Sequence, residues 1–474
     1  MKNIFLALKT INYRLWLAIL LTLFLPTVYQ TLRIYFIGDM PNDDSINIAS
    51  QLAWVSLFYE VIQEALILPL FFILGRSIQN NSIDSPKTNL INNEFQNKVR
   101  TGLILCTSTY LVLSIVIIIF AHPLVQFMSQ DSVLIKQSVD YIRLETIAAI
   151  FSTIAKFLVL VFLTLNKDKS LYILLGLQMI LSVVLDTFLI SSLEFSARLG
   201  VNGIAIVNII VNISIVILAI ILLHKQGVLI FKKSKLSFAW QKEWFKIGLS
   251  SGLESFIRNL AFMIMIIKMV NIILEQGNYW VANNFIFGWL LLPSFALADL
   301  IKQEIGTNQD NISKKTFGYL LLTTIFGVFW IASIPLWQPF IQYVLNIDSY
   351  KAVFNIVLMQ TGFYIVYLFN NVFDSTFYGV GKTNYMLIQS IIINVGYYGT
   401  MFILYLTKVF VPTLASISIM FGLGLVLDFI PTMIIYIYML KKNHIHIQFN
   451  FNTINSLKSS RYQINNNIST KINS

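Results

Sequence analysis

Apolar runs of about twenty residues, the length that crosses a bilayer as a helix, recur along nearly the whole chain with short polar stretches between them. The pattern predicts twelve spans, near residues 13–37, 47–74, 101–127, 142–165, 171–192, 201–223, 245–274, 279–303, 317–345, 352–378, 384–407 and 411–440. Inside lipid every backbone polar group must be satisfied within its own segment, so runs of this length read as helices. The predicted fold is an all-α membrane protein. Lys9 and Arg14, then Arg76, Lys87, Lys98 and Arg100, then Lys167 and Lys169, the basic stretch with Lys225, Lys232, Lys233, Lys242 and Lys246, and finally Lys314, Lys315, Lys382, Lys441 and Lys442 occupy alternate loops. The opposite loops carry Asp39, Asp43, Asp44, Asp131, Glu194 and Asp348. Positive charge stays on the cytoplasmic side of short loops, so both termini are expected there, in a multi-pass protein of the cell membrane.

A repeat divides the pattern in two. His122-Pro-Leu-Val-Gln-Phe closes span three and Gln338-Pro-Phe-Ile-Gln-Tyr closes span nine, with Pro123 and Pro339 216 residues apart and an Asp-Ser pair following each. Six spans separate the copies, so they share an orientation and predict two six-helix lobes related by a parallel pseudo-two-fold along the membrane normal. The expected units are a first lobe over 1–223, a basic cytoplasmic linker over 224–246, a second lobe over 247–440 and a flexible cytoplasmic tail over 441–474.

Composition sharpens this. The chain is 57% hydrophobic and 12% charged, with mean hydropathy +0.73, too little polar surface to coat a soluble globule of this size. The first apolar run matches the others in length and no small-residue cleavage site follows it, so no removable signal peptide is expected. One cysteine, Cys106, excludes an internal disulfide framework, and four scattered histidines make no transmembrane metal cluster. The net charge of +11 lies in loops and tail, where it sets topology and meets anionic lipid, rather than on one coherent face of the kind nucleic acid requires. Tyr378-Gly-Val-Gly-Lys-Thr lacks both the first glycine of a phosphate loop, whose place Thr376 takes, and a preceding strand. Its glycines suit a tight turn. No Ser/His/Asp constellation accompanies it, and an enzyme is not expected.

Ionisable groups inside spans are costly and mark candidate sites. Leu181 to Asn212 puts Asp186 in span five and returns through Asn208 and Asn212 in span six. Glu60 and Glu64 share one face of span two, with Gln63 beside them; two acids this close in low dielectric do not both ionise readily, which fits a proton or cationic-substrate site, or else they neutralise a base such as Lys156. Glu254 and Arg258, four apart in span seven, are spaced for an internal salt bridge. Asp428 and Lys268 are further buried charges, whereas Asp299 and Asp374 fall near cytoplasmic ends and read as interface charges. Pro26, Pro69, Pro293 and Pro431 each remove a helix hydrogen bond and permit a kink.

The Leu-Asp pair of span five, the Leu-Gly-Val-x-Gly of span six, the proline-centred ends of spans three and nine and Tyr378-Gly-Val-Gly-Lys-Thr together resemble the multidrug and toxic compound extrusion (MATE) transporters, over nearly the whole chain to Lys441. The resemblance implies two lobes around a cavity open alternately to each side, with small, amphipathic and possibly cationic organic compounds exported against inward Na⁺ or H⁺ and no other cofactor. The expected partners are that substrate and membrane lipid, and the expected state is a monomer. It also implies a first-lobe cation site, whose positions fall here on Asp186, Ser182, Asn208 and, in place of an Asp, Arg33; Pro26 matches the helix-one proline, and the second-lobe acid falls on Arg258, one turn from Glu254. Counting from the span ends puts Arg33, Asp186 and Asn208 at one depth, roughly 8 to 10 Å below the outer surface. Arg33 then either pairs with Asp186, with Asn208 and Ser182 as neutral partners, or extends outward to headgroups. A lipid-linked saccharide flippase of the same superfamily, and a non-transporting receptor or scaffold, are the other readings of the same residues.

Overall fold

A computed structural model of the chain describes residues 2–40, 44–67, 69–70, 73–74, 93–165, 167–231 and 235–448. Arg76, Lys87, Asp43, Lys232, Lys233 and the tail beyond 448 lie outside the described residues. Among the described residues ten helices are long and apolar enough to cross a membrane: Tyr13–Gly38, Asn93–Phe127, Ile135–Thr164, Lys169–Leu189, Gly200–Lys225, Trp244–Ile272, Asp310–Val344, Tyr350–Val380, Thr383–Leu406 and Leu414–Lys442. They stand where spans one, three to seven and nine to twelve are predicted. Span eight is a bent pair, Gln276–Leu290 and Leu292–Gly306, meeting at 55°. Pro293, which has no N–H to donate, sits just past the break. Span two is helical over Leu52–Ile62 and continues as a π-type turn over Gln63–Ile67. The chain is a multi-pass membrane protein.

Local chemistry sets several ends. The Asn12 side chain accepts from the Leu15 N–H at the start of span one, and Thr413 with Ser416 forms a reciprocal cap at the start of span twelve. Gly381, at φ 75°, closes span ten in the left-handed conformation that glycine adopts without strain. The two proline-centred repeats end alike, with one difference. In the first, the helix runs through Pro123 to Phe127 and turns at Ser129, φ 60°. In the second, a π-type turn over Phe340–Val344 follows Pro339, and the left-handed residue is Asn346, φ 55°. The turn residue comes six positions after the first proline and seven after the second. The wider π turn takes up the extra residue, which is how such bulges arise within helices.

The six-span groups repeat their internal packing. Spans four and six lie against each other in the first, as do spans ten and twelve in the second; three pairs with four and nine with ten. The first group buries Phe157, Val161, Val207 and Val211 in one cluster, and the second buries Tyr279, Trp330, Val357 and Tyr364 in another. Large apolar side chains such as Val112, Ile119, Ile217, Val328, Phe329 and Ile434 point outward, the surface a lipid-facing helix requires. The groups touch each other at both ends. At the predicted cytoplasmic end Trp244 Nε1 donates to the Leu66 carbonyl at 2.8 Å and Trp16 Nε1 to that of Pro293 at 3.2 Å. A Cβ at Gly248 would overlap the Ala65 carbonyl oxygen, so only glycine permits that approach. At the other end Asn271 donates to the Met128 carbonyl at 2.7 Å and exchanges amide hydrogen bonds of 3.3 Å with Gln51.

Candidate functional site

Two arginine-centred clusters of acids lie within the helix bundle among the described residues. In the first, the Arg33 guanidinium grips Asp186 with two parallel bonds, Nε to Oδ2 and Nη2 to Oδ1, each 3.0 Å. Its Nη1 donates to Asn208 Oδ1 at 2.7 Å, and Asn208 Nδ2 donates in turn to Glu145 Oε1 at 2.7 Å. The Tyr29 ring lies 4.7 Å from the guanidinium carbon. Side-chain exposure is 7% for Arg33 and 1% for Asp186, so the pair is closed to bulk water. Arg33 therefore turns inward and meets Asp186 and Asn208, as their common depth predicts, and does not extend to headgroups. Ser182 is buried but lies by the Tyr29 hydroxyl, and makes none of the guanidinium's bonds. Bidentate geometry, burial and a relay to a second acid make this a fixed electrostatic knot.

The second cluster joins the two groups of spans. Arg258 of span seven donates through Nε to Glu254 at 3.1 Å, one turn earlier on its own helix. Its terminal nitrogens reach across to span two, at 3.2 Å from Glu60 and 3.0 Å from Glu64. Asn259 accepts from the same guanidinium at 3.1 Å and holds the Leu57 carbonyl at 3.2 Å. The base that answers Glu60 and Glu64 is thus Arg258, while Lys156 of span four bonds Gln63 at 2.9 Å. Arg258 keeps 41% of its side-chain surface open and Glu60 38%. The cluster has three carboxylates against one guanidinium and is open on one side, the inverse of the closed first knot. Pro26 lies within the unbroken helix Tyr13–Gly38 and lines a cavity of about 240 Å³ with Thr27, Thr31, Phe285 and Trp289, where Trp289 Nε1 donates to Thr31 Oγ1 at 2.9 Å.

No protein-family model and no curated protein matches the sequence. Solved structures do match the architecture. A multidrug-resistance MATE family transporter of the MOP superfamily, in an inward-facing conformation, superposes with a TM-score of 0.66 at 18% identity over 88% of this chain and 95% of its own. A point variant of the Vibrio cholerae MATE transporter VcmN gives 0.67 at 14% identity, covering 93% of this chain and 99% of that one. The chain has the MATE fold. A MOP superfamily transporter from Pyrococcus furiosus, described as having a binding pocket of reverse polarity that suggests a different function, gives 0.65 at 18% identity over 90% of this chain and 95% of its own.

Within the MATE fold the present residues depart from the acidic pattern that the sequence resemblance implies. An arginine stands in each group of spans where that pattern has an acid, Arg33 in the first and Arg258 in the second, and each is answered by acids from neighbouring helices. Sequence reasoning missed Glu145. It falls within predicted span four, where an acid is itself a signal, but its link to the knot runs through Asn208 and depends on how spans four and six pack.

Proposed function

We propose that the chain is a secondary active transporter that exports small organic compounds in exchange for Na⁺ or H⁺ by alternating access, in the cell membrane with both termini cytoplasmic and working as a monomer. The observation that carries this reading is Arg258 bonded across the two groups of spans to Glu60 and Glu64. A guanidinium stays charged at any working pH, so whatever changes here changes on the acids. A proton or Na⁺ taken up by Glu60 or Glu64 removes the charge that holds Arg258 and frees span two from span seven. Each charge-assisted bond contributes roughly 1.5–3 kcal/mol, so the two together reach about 3 to 6 kcal/mol before solvent screening. Reversing a two-state equilibrium from 1:99 to 99:1 takes about 5.5 kcal/mol, so after screening of the 41%-exposed Arg258 and 38%-exposed Glu60 this cluster supplies a part of that bias and the bound substrate must supply the rest. The Arg33 knot has no such freedom, and coupling is assigned away from it.

The test is transport in proteoliposomes of a panel of organic cations, with and without an imposed Na⁺ or H⁺ gradient. Gradient-driven export that is lost in Glu60→Gln, Glu64→Gln and Glu254→Gln variants is expected. Full gradient-driven transport by all three would remove the proposed coupling role. A second reading, movement of a lipid-linked saccharide, draws on the open surfaces of Lys156 and Arg258 inside the bundle. It predicts translocation of an anionic lipid without any ion gradient. A chain that moves neither class would be a receptor or scaffold on the same fold.

A further inference from the structure

The linker between the two groups of spans is fixed along the predicted cytoplasmic end of the first group. Asn97, near the start of span three, exchanges two bonds with Ser237: its Nδ2 donates to the Ser237 carbonyl at 2.7 Å and its Oδ1 accepts from the Ser237 N–H at 3.0 Å. Arg100 Nε donates to the Ile230 carbonyl at 3.1 Å and Gln96 Nε2 to that of Gly227 at 3.3 Å. Trp240 Nε1 donates to Thr101 Oγ1 at 3.0 Å, and its ring stacks on Trp244 with centroids 5.0 Å apart. Held at these points, the segment leaves its larger apolar side chains outside. Phe231 is 79% exposed, and Leu236 and Phe238 stand open beside Lys235.

Span seven continues this surface. Lys242, Lys246, Leu249, Leu253, Phe256 and Leu260 follow one another at four- and three-residue steps, which puts them on one face of the helix, and all are exposed. Phe245 borders the same face and is exposed too. The contacts with span two, through Trp244, Gly248 and Asn259, lie on the other side, so the exposed stripe is the lipid-facing one. At 1.5 Å per residue Lys246 and Lys242 stand about 39 and about 45 Å from the far end of span seven at Ile272, the thickness of a bilayer with its headgroups. Their ammonium groups therefore fall at headgroup level, below a lane of apolar side chains. Among the described residues Lys235, Lys242 and Lys246 make no ion pair, whereas Lys302, Lys314 and Lys315 at the same end are each answered by an acid. Lys235 also lines, with Asn97, Ser237 and Trp240, an open cavity of about 560 Å³ in which Glu94 is already taken by Lys98 at 2.7 Å.

Exposed phenylalanines and leucines call for an apolar cover, and ammonium groups without acids call for negative charge. A phosphate free in solution supplies only the second; a phospholipid supplies both. We infer that Lys235, Lys242 and Lys246, with Phe245, form a binding surface for an anionic phospholipid, whose headgroup lies on the lysines and whose acyl chains run along Phe245, Leu249 and Leu253. A zwitterionic lipid brings its own ammonium, which competes with the lysines, so it gains little here. Each lysine near a membrane surface is worth roughly a fivefold preference for anionic lipid, and the three together roughly a hundredfold. Bonds to Asn97, Thr101 and Leu66 hold the same segment to spans three and two, so the lipid sits at the joint between the two groups. The inference rests on span seven crossing the membrane and not on transport.

Acetylation of lysines in the purified full chain in nanodiscs, read residue by residue by mass spectrometry, tests the surface. Nanodiscs of phosphatidylglycerol mixed with phosphatidylcholine are expected to protect Lys235, Lys242 and Lys246 relative to phosphatidylcholine alone. Lys314, on the same side but paired with Asp310 at 3.2 Å, is expected to label equally in both. A triple variant carrying Lys235→Gln, Lys242→Gln and Lys246→Gln changes exposed side chains only. It is expected to keep the wild-type size-exclusion profile while losing roughly 100-fold in preference for phosphatidylglycerol over phosphatidylcholine, read from the lipid retained through detergent extraction. Lys314→Gln is expected to retain the wild-type amount. Glycerol phosphate added to phosphatidylcholine nanodiscs is expected to protect none of the three lysines. Equal protection of Lys314 would reduce the surface to diffuse charge, and protection by glycerol phosphate alone would make it a site for soluble phosphate. Either result, or lipid retention unaffected by the triple variant, overturns the inference whatever transport does.

Discussion

Arg33→Ala tests the first knot most directly. The substitution removes two 3.0 Å bonds to Asp186 and one 2.7 Å bond to Asn208, and strips the cation from the face of Tyr29. Asp186, 1% exposed, is left as a buried acid with no base. Breaking one side of a buried ion pair costs about 3 to 5 kcal/mol, most of it from the charge left behind. Arg33→Ala with Asp186→Asn removes the charge stranded at Asp186 and leaves only Glu145, one amide further from the lost guanidinium, so its cost falls toward that of a cavity and lost packing and the double variant is expected to be the more stable. The measurement can use the chain's own cysteine. Cys106 is free and fully buried in span three, so a thiol-reactive fluorophore reports unfolding during a thermal ramp in detergent. The expected order of Tm is wild type, then the double variant, then Arg33→Ala. A double variant no more stable than the single one would refute the reasoning, because the two sites would then be energetically independent.

Asn271→Ala removes the bonds to Met128 and Gln51 and strands a buried Gln51 amide; a loss of roughly 1 to 3 kcal/mol is expected, read from the same thermal ramp. Trp289→Phe deletes the bond to Thr31 at the Pro26 cavity and should cost about 1 kcal/mol, seen as a small Tm decrease with the fold retained. Gly248→Ala forces a methyl group onto the Ala65 carbonyl oxygen; it should wedge spans two and seven apart and raise the labelling rate of a cysteine placed at Ala65, and an unchanged rate would contradict the packing.

The membrane fold was legible because twenty-residue apolar runs and alternating loop charge are both local properties of the chain. The Arg33, Asp186 and Asn208 association was legible for a related reason: depth can be counted from helix ends, and charges at one depth in one bundle have few alternatives to each other. Ser182 shows the limit of that method, since depth does not give rotation, and its hydroxyl faces Tyr29. Arg258 was read as the partner of Glu254, four residues away, because that spacing is visible in sequence; its bonds to Glu60 and Glu64 depend on how two distant groups of helices dock. The break in span eight could be placed near Pro293, but its 55° angle depends on what packs on each side. Asp374, expected at the interface from its place near a helix end, is instead half-buried and accepts from Gln389 of span eleven at 3.2 Å, because a neutral amide in a helix has no sequence signature until its partner is known.

The Arg33 knot also bears on the thermodynamic reach of the proposed exchange. A tethered side chain occupies the place of a dissociable ion, so it contributes nothing to the stoichiometry of a cycle. An exchanger can sustain a substrate ratio that follows the driving ion gradient raised to the number of ions it loads per cycle, and the first group's arginine-filled position adds none to that number. Measured reversal potentials, compared at several gradients, therefore count only the loading sites outside the knot, and the arginine is what removes its own position from that count.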